Sequence, residues 1–459
     1  MRASLAPMIA SISGARMTQN AAFIGLSTDS RVVSAGQLFV ALRGEHFDGH
    51  DYLEQVAAKG VAAVVVEKLP AGWTLPAIVV PNTLTALGQI ANWWRGRFDI
   101  PVIGVTGSNG KTTVKEMISA ILAAAYGEGE RLATQGNLNN EIGLPLTLMR
   151  LEANHRAAVV EMGMNHPGEI GRLAVIAAPT VGMVNNAQRE HQEFMHTVEA
   201  VARENGSVLQ GLPKGGVAVF PGDDEYTALW RQMANTRPDR RCLTFGLSGD
   251  CDVRGAYTAG SFGSVVTVNM IDAQFSIKLA AAGEHNVRNA LAAVACAVAA
   301  GIEQDAIVRG LEAFTPVGGR LQRKQAANGA TVIDDSYNAN PDSVRAAIDV
   351  LAQAAAPRIL VLGDMGEVGT QGQQFHEEIG AYANSRGIET VLVTGELTRH
   401  MVGSGARYFG QFDDLLAALD SQLGSESNAT VLVKGSRFMK MERVVQHLIG
   451  SQNTGKEAH

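Results

Sequence analysis

The chain is poor in cysteine: 459 residues contain only Cys242, Cys251 and Cys296. They form no C-x-x-C pair and leave an odd thiol, so no disulfide framework is expected and a reducing, cytoplasmic setting suits the chain. No apolar run approaches the roughly 18 residues needed to span a bilayer. Residues 291–300 come nearest, and the mildly apolar start is broken by Pro7, so residues 1–13 read as a short first helix rather than a signal peptide. The polar tail, 450–459, reads as frayed. The formal charge is -7 and no basic stripe exists, which removes the reason to expect nucleic acid. What remains is a globular composition, 46% apolar and 18% charged, ample for several cores. The length alone favours roughly three domains.

Three stretches differ in character. Residues 1–83 carry short β-like runs at 37–42, 61–67 and 77–80 with a helix at 52–59. Residues 84–315 open with a helix at 84–97. Short apolar runs at 101–106, 157–161 and 181–185 follow, and read as buried parallel strands. Runs at 217–220 and 242–245 continue the set, 264–270 and 275–281 look antiparallel, and a helix at 287–300 closes it, so the sheet is expected to be mixed. Residues 316–459 repeat strand then helix four times, which implies a parallel doubly wound sheet. Its only glycine cluster, Gly363-Asp364-Met365-Gly366, does not fit G-x-G-x-x-G, and the Asn-Lys-x-Asp guanine-reading sequence is also missing. A dinucleotide oxidoreductase and a GTPase-like switch are therefore disfavoured.

The most informative run goes from Val102 to Thr113. An apolar strand enters a turn, Thr106-Gly107-Ser108-Asn109-Gly110, and Lys111-Thr112-Thr113 opens a helical pattern. Backbone N–H groups and a helix N-terminus there can surround phosphates, with Lys111 reaching the terminal phosphates and a Thr hydroxyl reaching Mg²⁺. The strict motif wants Gly where this chain has Val105. The strand before and helix after supply the context that makes it a nucleoside triphosphate site, with Mg²⁺ expected beside the phosphates.

Ligands of doubly wound sheets bind beyond the carboxyl ends of the strands. Glu161 stands at one such end and suits Mg²⁺, a cation that takes oxygen ligands. Asn185, Asn186 and then His191 follow another, and residues 134–141 form an amide-rich loop. Asn286 and Asn289 sit at the start of the 287–300 helix. Arg320 suits phosphate through its planar fork, and Asp335, after the first C-terminal strand, suits ribose hydroxyls.

These residues, taken together, resemble the Mur ligases of bacterial cell-wall synthesis. The match is carried by Thr28-Asp29-Ser30-Arg31, the phosphate-loop run 104–116, the amide loop 136–145, the run 161–170 that begins with Glu161, and the stretches 285–289, 335–341, 362–367 and 433–437. The resemblance implies three α/β domains: a small one for the UDP-sugar peptide (1–83), a central phosphate-loop ATPase with a mixed sheet (84–315), and a Rossmann-like doubly wound one (316–459). It implies a monomer acting on UDP-N-acetylmuramoyl-tripeptide and D-alanyl-D-alanine. ATP would phosphorylate the tripeptide carboxylate, and the dipeptide amine would attack the acyl phosphate.

By position, Lys111 would neutralise the γ-phosphate, Thr112 and Glu161 would hold Mg²⁺, and His191 would sit by a second metal. Asn289 would approach adenine, Arg320 the phosphates and Asp335 the ribose. Ser30, Asp48, Gly49 and His50 would touch the UDP-sugar. One departure stands out. Family members usually place a carbamylated lysine shortly after the His, and this chain has Asn205 there. The second metal is then expected to be held more weakly, or through Glu204 or water.

Overall fold

The computed structural model describes residues 1–260, 262–424 and 428–450; the expectation for the tail lies outside them, apart from Gly450. Three parallel-rich sheets follow one another along the chain. The first has five strands in the order Arg16–Met17, Ala77–Val79, Ala63–Val66, Leu38–Val40, Leu26–Ser27. The chain start departs from the expected helix. Arg2–Ser4 pairs antiparallel with Ala22–Ile24, and only Leu5–Ile9 is helical.

The central sheet has nine strands. The phosphate-loop strand, Val102–Thr106, lies between Ala157–Glu161 on one side and Val181–Val184 on the other, parallel to both. Consecutive strands thus go to opposite sides of it. This is a topological switch point, where the loops beyond the strand ends diverge and leave a crevice. Both faces of these strands are buried. Val102, Ala158, Val160 and Val184 face one core, and Ile103, Val105, Ala157, Val159, Val181 and Met183 face the other. That double burial explains their unbroken apolar runs. The expected antiparallel pair, Ser264–Met270 with Ala273–Leu279, is joined by a third strand, Val253–Ala259, which bridges it to the parallel set.

The C-terminal sheet runs Gln322–Gln325, Thr331–Asp335, Thr430–Lys434, Arg358–Gly363, Thr390–Thr394, Arg407–Phe409. All are parallel except the polar first strand, which was not expected. Alternate residues face helices on opposite sides: Leu360, Leu362 and Leu432 meet one core, Ile359, Val361 and Val433 the other. The sheet is doubly wound. Among the described residues no helix is long and apolar enough to cross a membrane.

Candidate active site

A cavity of about 960 Å³ lies between the carboxyl ends of the central and C-terminal sheets. Its floor is the phosphate loop. Gly107 has φ 136 and Gly110 φ 79, backbone conformations that disfavour a side chain. A Cβ on Gly110 would lie 2.5 Å from Asn289 Oδ1, and one on Gly107 2.8 Å from Asn185 Cβ. The helix Lys111–Tyr126 starts immediately after Gly110, so its free N–H groups and dipole face the cavity.

An amide network fixes this loop. Asn185 Nδ2 donates to Asn109 O and to Asn289 Oδ1, both at 2.8 Å. Asn186 Oδ1 accepts from Asn109 N at 2.9 Å. Thr106 Oγ1 turns away from the cavity, donating to Met183 O and Asn205 O. Ser108 Oγ accepts from Gln188 N at 2.9 Å. Thr106 and Ser108 thus brace the loop. Thr112, Thr113 and Lys111 line the cavity.

Lys111 Nζ donates to Gly107 O, to Ser108 O and, at 3.0 Å, to Glu190 Oε1. Burial pushes the Glu190 carboxyl up, but Lys111 and His191 outweigh it and hold it below the ordinary carboxylate range. His191 is clamped on both sides. Nε2 lies 3.4 Å from Glu190 Oε1 and Nδ1 2.5 Å from Glu367 Oε2. Burial opposes its charge, yet the two carboxylates raise it to about 9. His191 and Glu367 both have positive φ, 49 and 57, backbone strain of a kind that clusters at functional sites.

Glu161 ends its strand 3% exposed. Oε1 accepts from Asn139 Nδ2 at 2.8 Å, while Oε2 is buried without a partner. An ionised oxygen left so is costly unless a cation meets it. With Thr112 lining the same cavity, these residues fit Mg²⁺. Among the described residues no three His, Cys, Asp or Glu side chains gather as a metal cage. Mg²⁺ is commonly bound through one or two carboxylates plus substrate phosphates.

The structure gives Asn205 and Glu204 other work. Asn205 Oδ1 accepts from Gly107 N at 3.0 Å. Glu204 accepts from Gly168 N and Ile170 N, both at 2.8 Å, satisfying the start of the helix Glu169–Ala177. Neither residue lines the cavity, which weighs against Glu204 as the substitute for the missing lysine.

On the opposite wall, Lys434 Nζ bridges Asp335 Oδ2 and Asn338 O, and Leu321 N donates to Asp335 Oδ1 at 3.1 Å. Burial pushes the Asp335 carboxyl up against the pull of Lys434. The Arg320 guanidinium stacks 4.3 Å above the Tyr337 ring centroid and lines the cavity. The two walls are tied directly. Asn340 Nδ2 donates to Asn109 Oδ1 at 2.8 Å, and Arg189 donates to Asp342 from its backbone N and its guanidinium and reaches Glu378 at 3.2 Å.

The cavity therefore gathers Lys111, Thr112, Glu161, His191, Asn289, Arg320 and Asp335, but not Ser30, Asp48, Gly49 or His50. Those four belong to a local knot of the first sheet. Asp48 Oδ1 accepts from His50 N and Nδ1, His50 Nε2 accepts from Glu67 N, and the Ser30 carbonyl accepts from Lys59. Sequence reasoning overlooked Gln188, Arg189, Glu190 and Lys434 as individual site residues. Gln188, Arg189 and Glu190 offered only their position past a strand end, while Lys434 closes its strand within the 433–437 stretch that carries the resemblance.

A phosphate loop at the switch point of one doubly wound sheet, roofed by the strand ends of another, defines a two-walled nucleotide-binding α/β enzyme. Comparison with known proteins narrows that class: the chain belongs to the Mur ligase family and is an ATP-dependent ligase. Residues 11–95 match the model described as Mur ligase family, catalytic domain; 105–297 match the Mur ligase middle domain and 319–437 the Mur ligase, glutamate ligase domain. The UDP-N-acetylmuramoyl-tripeptide–D-alanyl-D-alanine ligase of Escherichia coli is 37% identical over 95% of both chains. Its namesake in Bacillus subtilis is 35% identical over 93% of both. Among solved structures, MurF from Acinetobacter baumannii superposes with a TM-score of 0.88 at 33% identity, covering 93% of this chain and 94% of that one. The MurF ligase from Thermotoga maritima in complex with ADP gives 0.83 at 26%, covering 92% and 96%.

Proposed function

We propose that this chain joins D-alanyl-D-alanine to UDP-N-acetylmuramoyl-tripeptide in cytoplasmic peptidoglycan precursor synthesis, acting as a monomer. The reaction feeds cell-wall growth, and through it cell shape and division. The observation that carries the reading is the full-length likeness to ligases named for this reaction, shared by both ends of the chain. The cavity supplies the chemistry. A carboxylate is a poor electrophile until one of its oxygens becomes phosphate. Lys111 would hold the γ-phosphate as it moves to the tripeptide carboxylate, stabilising charge that develops in transfer. The dipeptide amine would then attack the acyl carbon, and the tetrahedral intermediate would collapse to an amide and phosphate.

Thr112 and Glu161 would hold Mg²⁺, which would neutralise phosphate charge during transfer. His191 would stand beside a second cation. Asn289 would approach the adenine, Arg320 the phosphates and Asp335 the ribose. Ser30, Asp48, Gly49 and His50 would contact the UDP-sugar from the first domain.

We place the domain boundaries at 83/84 and 315/316. Supporting the first, the helix Thr83–Arg95 is bonded to central elements, with Trp94 Nε1 donating to Leu151 O and Asn92 Nδ2 to Val175 O. The reaction is tested by phosphate release. It should appear only when tripeptide, dipeptide and ATP are all present, with tripeptides ending in lysine and in diaminopimelate compared. Release driven by folate and glutamate instead would overturn the reading.

A further inference from the structure

The cavity contains two buried carboxylate oxygens without a hydrogen-bond partner among the described residues, Oε2 of Glu161 and Oε2 of Glu190. The proposed reaction uses the first and leaves the second unexplained. Buried polar atoms in native proteins are nearly always satisfied, so such an orphan asks for a function. The other oxygen of Glu190 is well occupied, 3.0 Å from Lys111 Nζ and 3.4 Å from His191 Nε2. A carboxylate so close to the ammonium that takes the terminal phosphates would stand against phosphate oxygens of like charge. A divalent cation between them turns that repulsion into attraction.

Asn205 and Glu204 do not line the cavity, whereas Glu190 does. Asn205 offers its oxygen to Gly107 N–H and otherwise has only a donor, and both Glu204 oxygens serve Gly168 and Ile170. We propose that Glu190, through Oε2, is the carboxylate ligand of a second divalent cation on the nucleotide phosphates, carrying the negative charge that position 205 lacks. This rests on the ligase reading above.

The test is Mn²⁺ titration followed by electron paramagnetic resonance, with a non-hydrolysable ATP analogue bound to the full chain. Wild type should bind two Mn²⁺, with the same affinities in bicarbonate-free buffer. Glu190→Gln should keep the tighter one and weaken the other at least tenfold. Glu190→Asp, which retains the charge at shorter reach, should fall between them and carries the test should the amide variant not fold. A single Mn²⁺ in wild type would overturn the proposal, as would wild-type affinities at both sites in Glu190→Gln or in Glu190→Asp. Failure of the ligase reading shows separately, as phosphate release that does not require tripeptide and dipeptide.

Discussion

Two doubly wound sheets present their strand ends to one cavity, and they treat their polar groups in opposite ways. On the C-terminal wall the buried aspartates are answered within the protein. Asp364 accepts from the backbone of Glu396, Leu397 and Thr398, and Asp335 is matched by Lys434 and Leu321. On the central wall the loop is braced by amides, but Glu161, Glu190 and Asn205 each keep one buried atom unpaired. Satisfied polar networks specify architecture. Unsatisfied ones, held rigidly, are where a charged ligand gains most.

Substitutions on the two walls should therefore separate stability from activity. The largest effect belongs to the C-terminal wall. Lys434→Met leaves Asp335 buried without its cation, and removing one partner of a buried pair costs about 3–5 kcal/mol. Urea unfolding should register that loss in full. Lys111→Ala, on the central wall, also takes a partner from Glu190, but His191 stays beside that carboxylate, so the loss of stability should be smaller than for Lys434→Met. The ligation rate of Lys111→Ala should fall by about 10²-fold or more. A variant of Lys111 that ligates normally, or a Lys434 variant of unchanged stability, breaks the contrast.

Arg189→Ala probes the tie between the walls. Its guanidinium makes three half-buried hydrogen bonds to Asp342, which the substitution removes while the backbone bond stays, and loss of about 1 kcal/mol corresponds to roughly a fivefold rise in the KM for ATP. The rise should shrink at high salt, where the tie is already weakened. The smallest effect is a pH slope. Burial, aided by the nearby charge of Lys434, depresses His285 from 6.5 to about 4. The folded state therefore disfavours the proton that the unfolded chain accepts. Stability should be independent of this group above pH 6.5 and fall as the pH drops from 6.5 towards 4. His285→Gln should flatten that limb in unfolding measured across the range.

Much of the fold was legible because buried parallel strands must be continuously apolar. Ala157–Glu161 and Ser264–Met270 fall at their expected bounds. The strands that escaped notice lacked that signal. Gln322–Gln325 is a wholly polar edge. Val253–Ala259 buries only two residues and includes Gly255, where a Cβ would strike Leu291.

The site divides in the same way. Lys111 and Glu161 stand at strand ends, where topology alone directs attention. Glu190 and Arg189 lie on an irregular loop with no period to read, and their partners sit far along the chain. Asn205 occupies a helix position whose bond to Gly107 only the packed structure reveals.

The most direct test is a crystal structure with a non-hydrolysable ATP analogue and Mg²⁺. The account predicts the phosphates on the N–H groups of residues 107–113, with Lys111 at the terminal phosphate and a cation beside Glu161. Phosphates seated on the C-terminal wall, with that loop unchanged and bare, would contradict it.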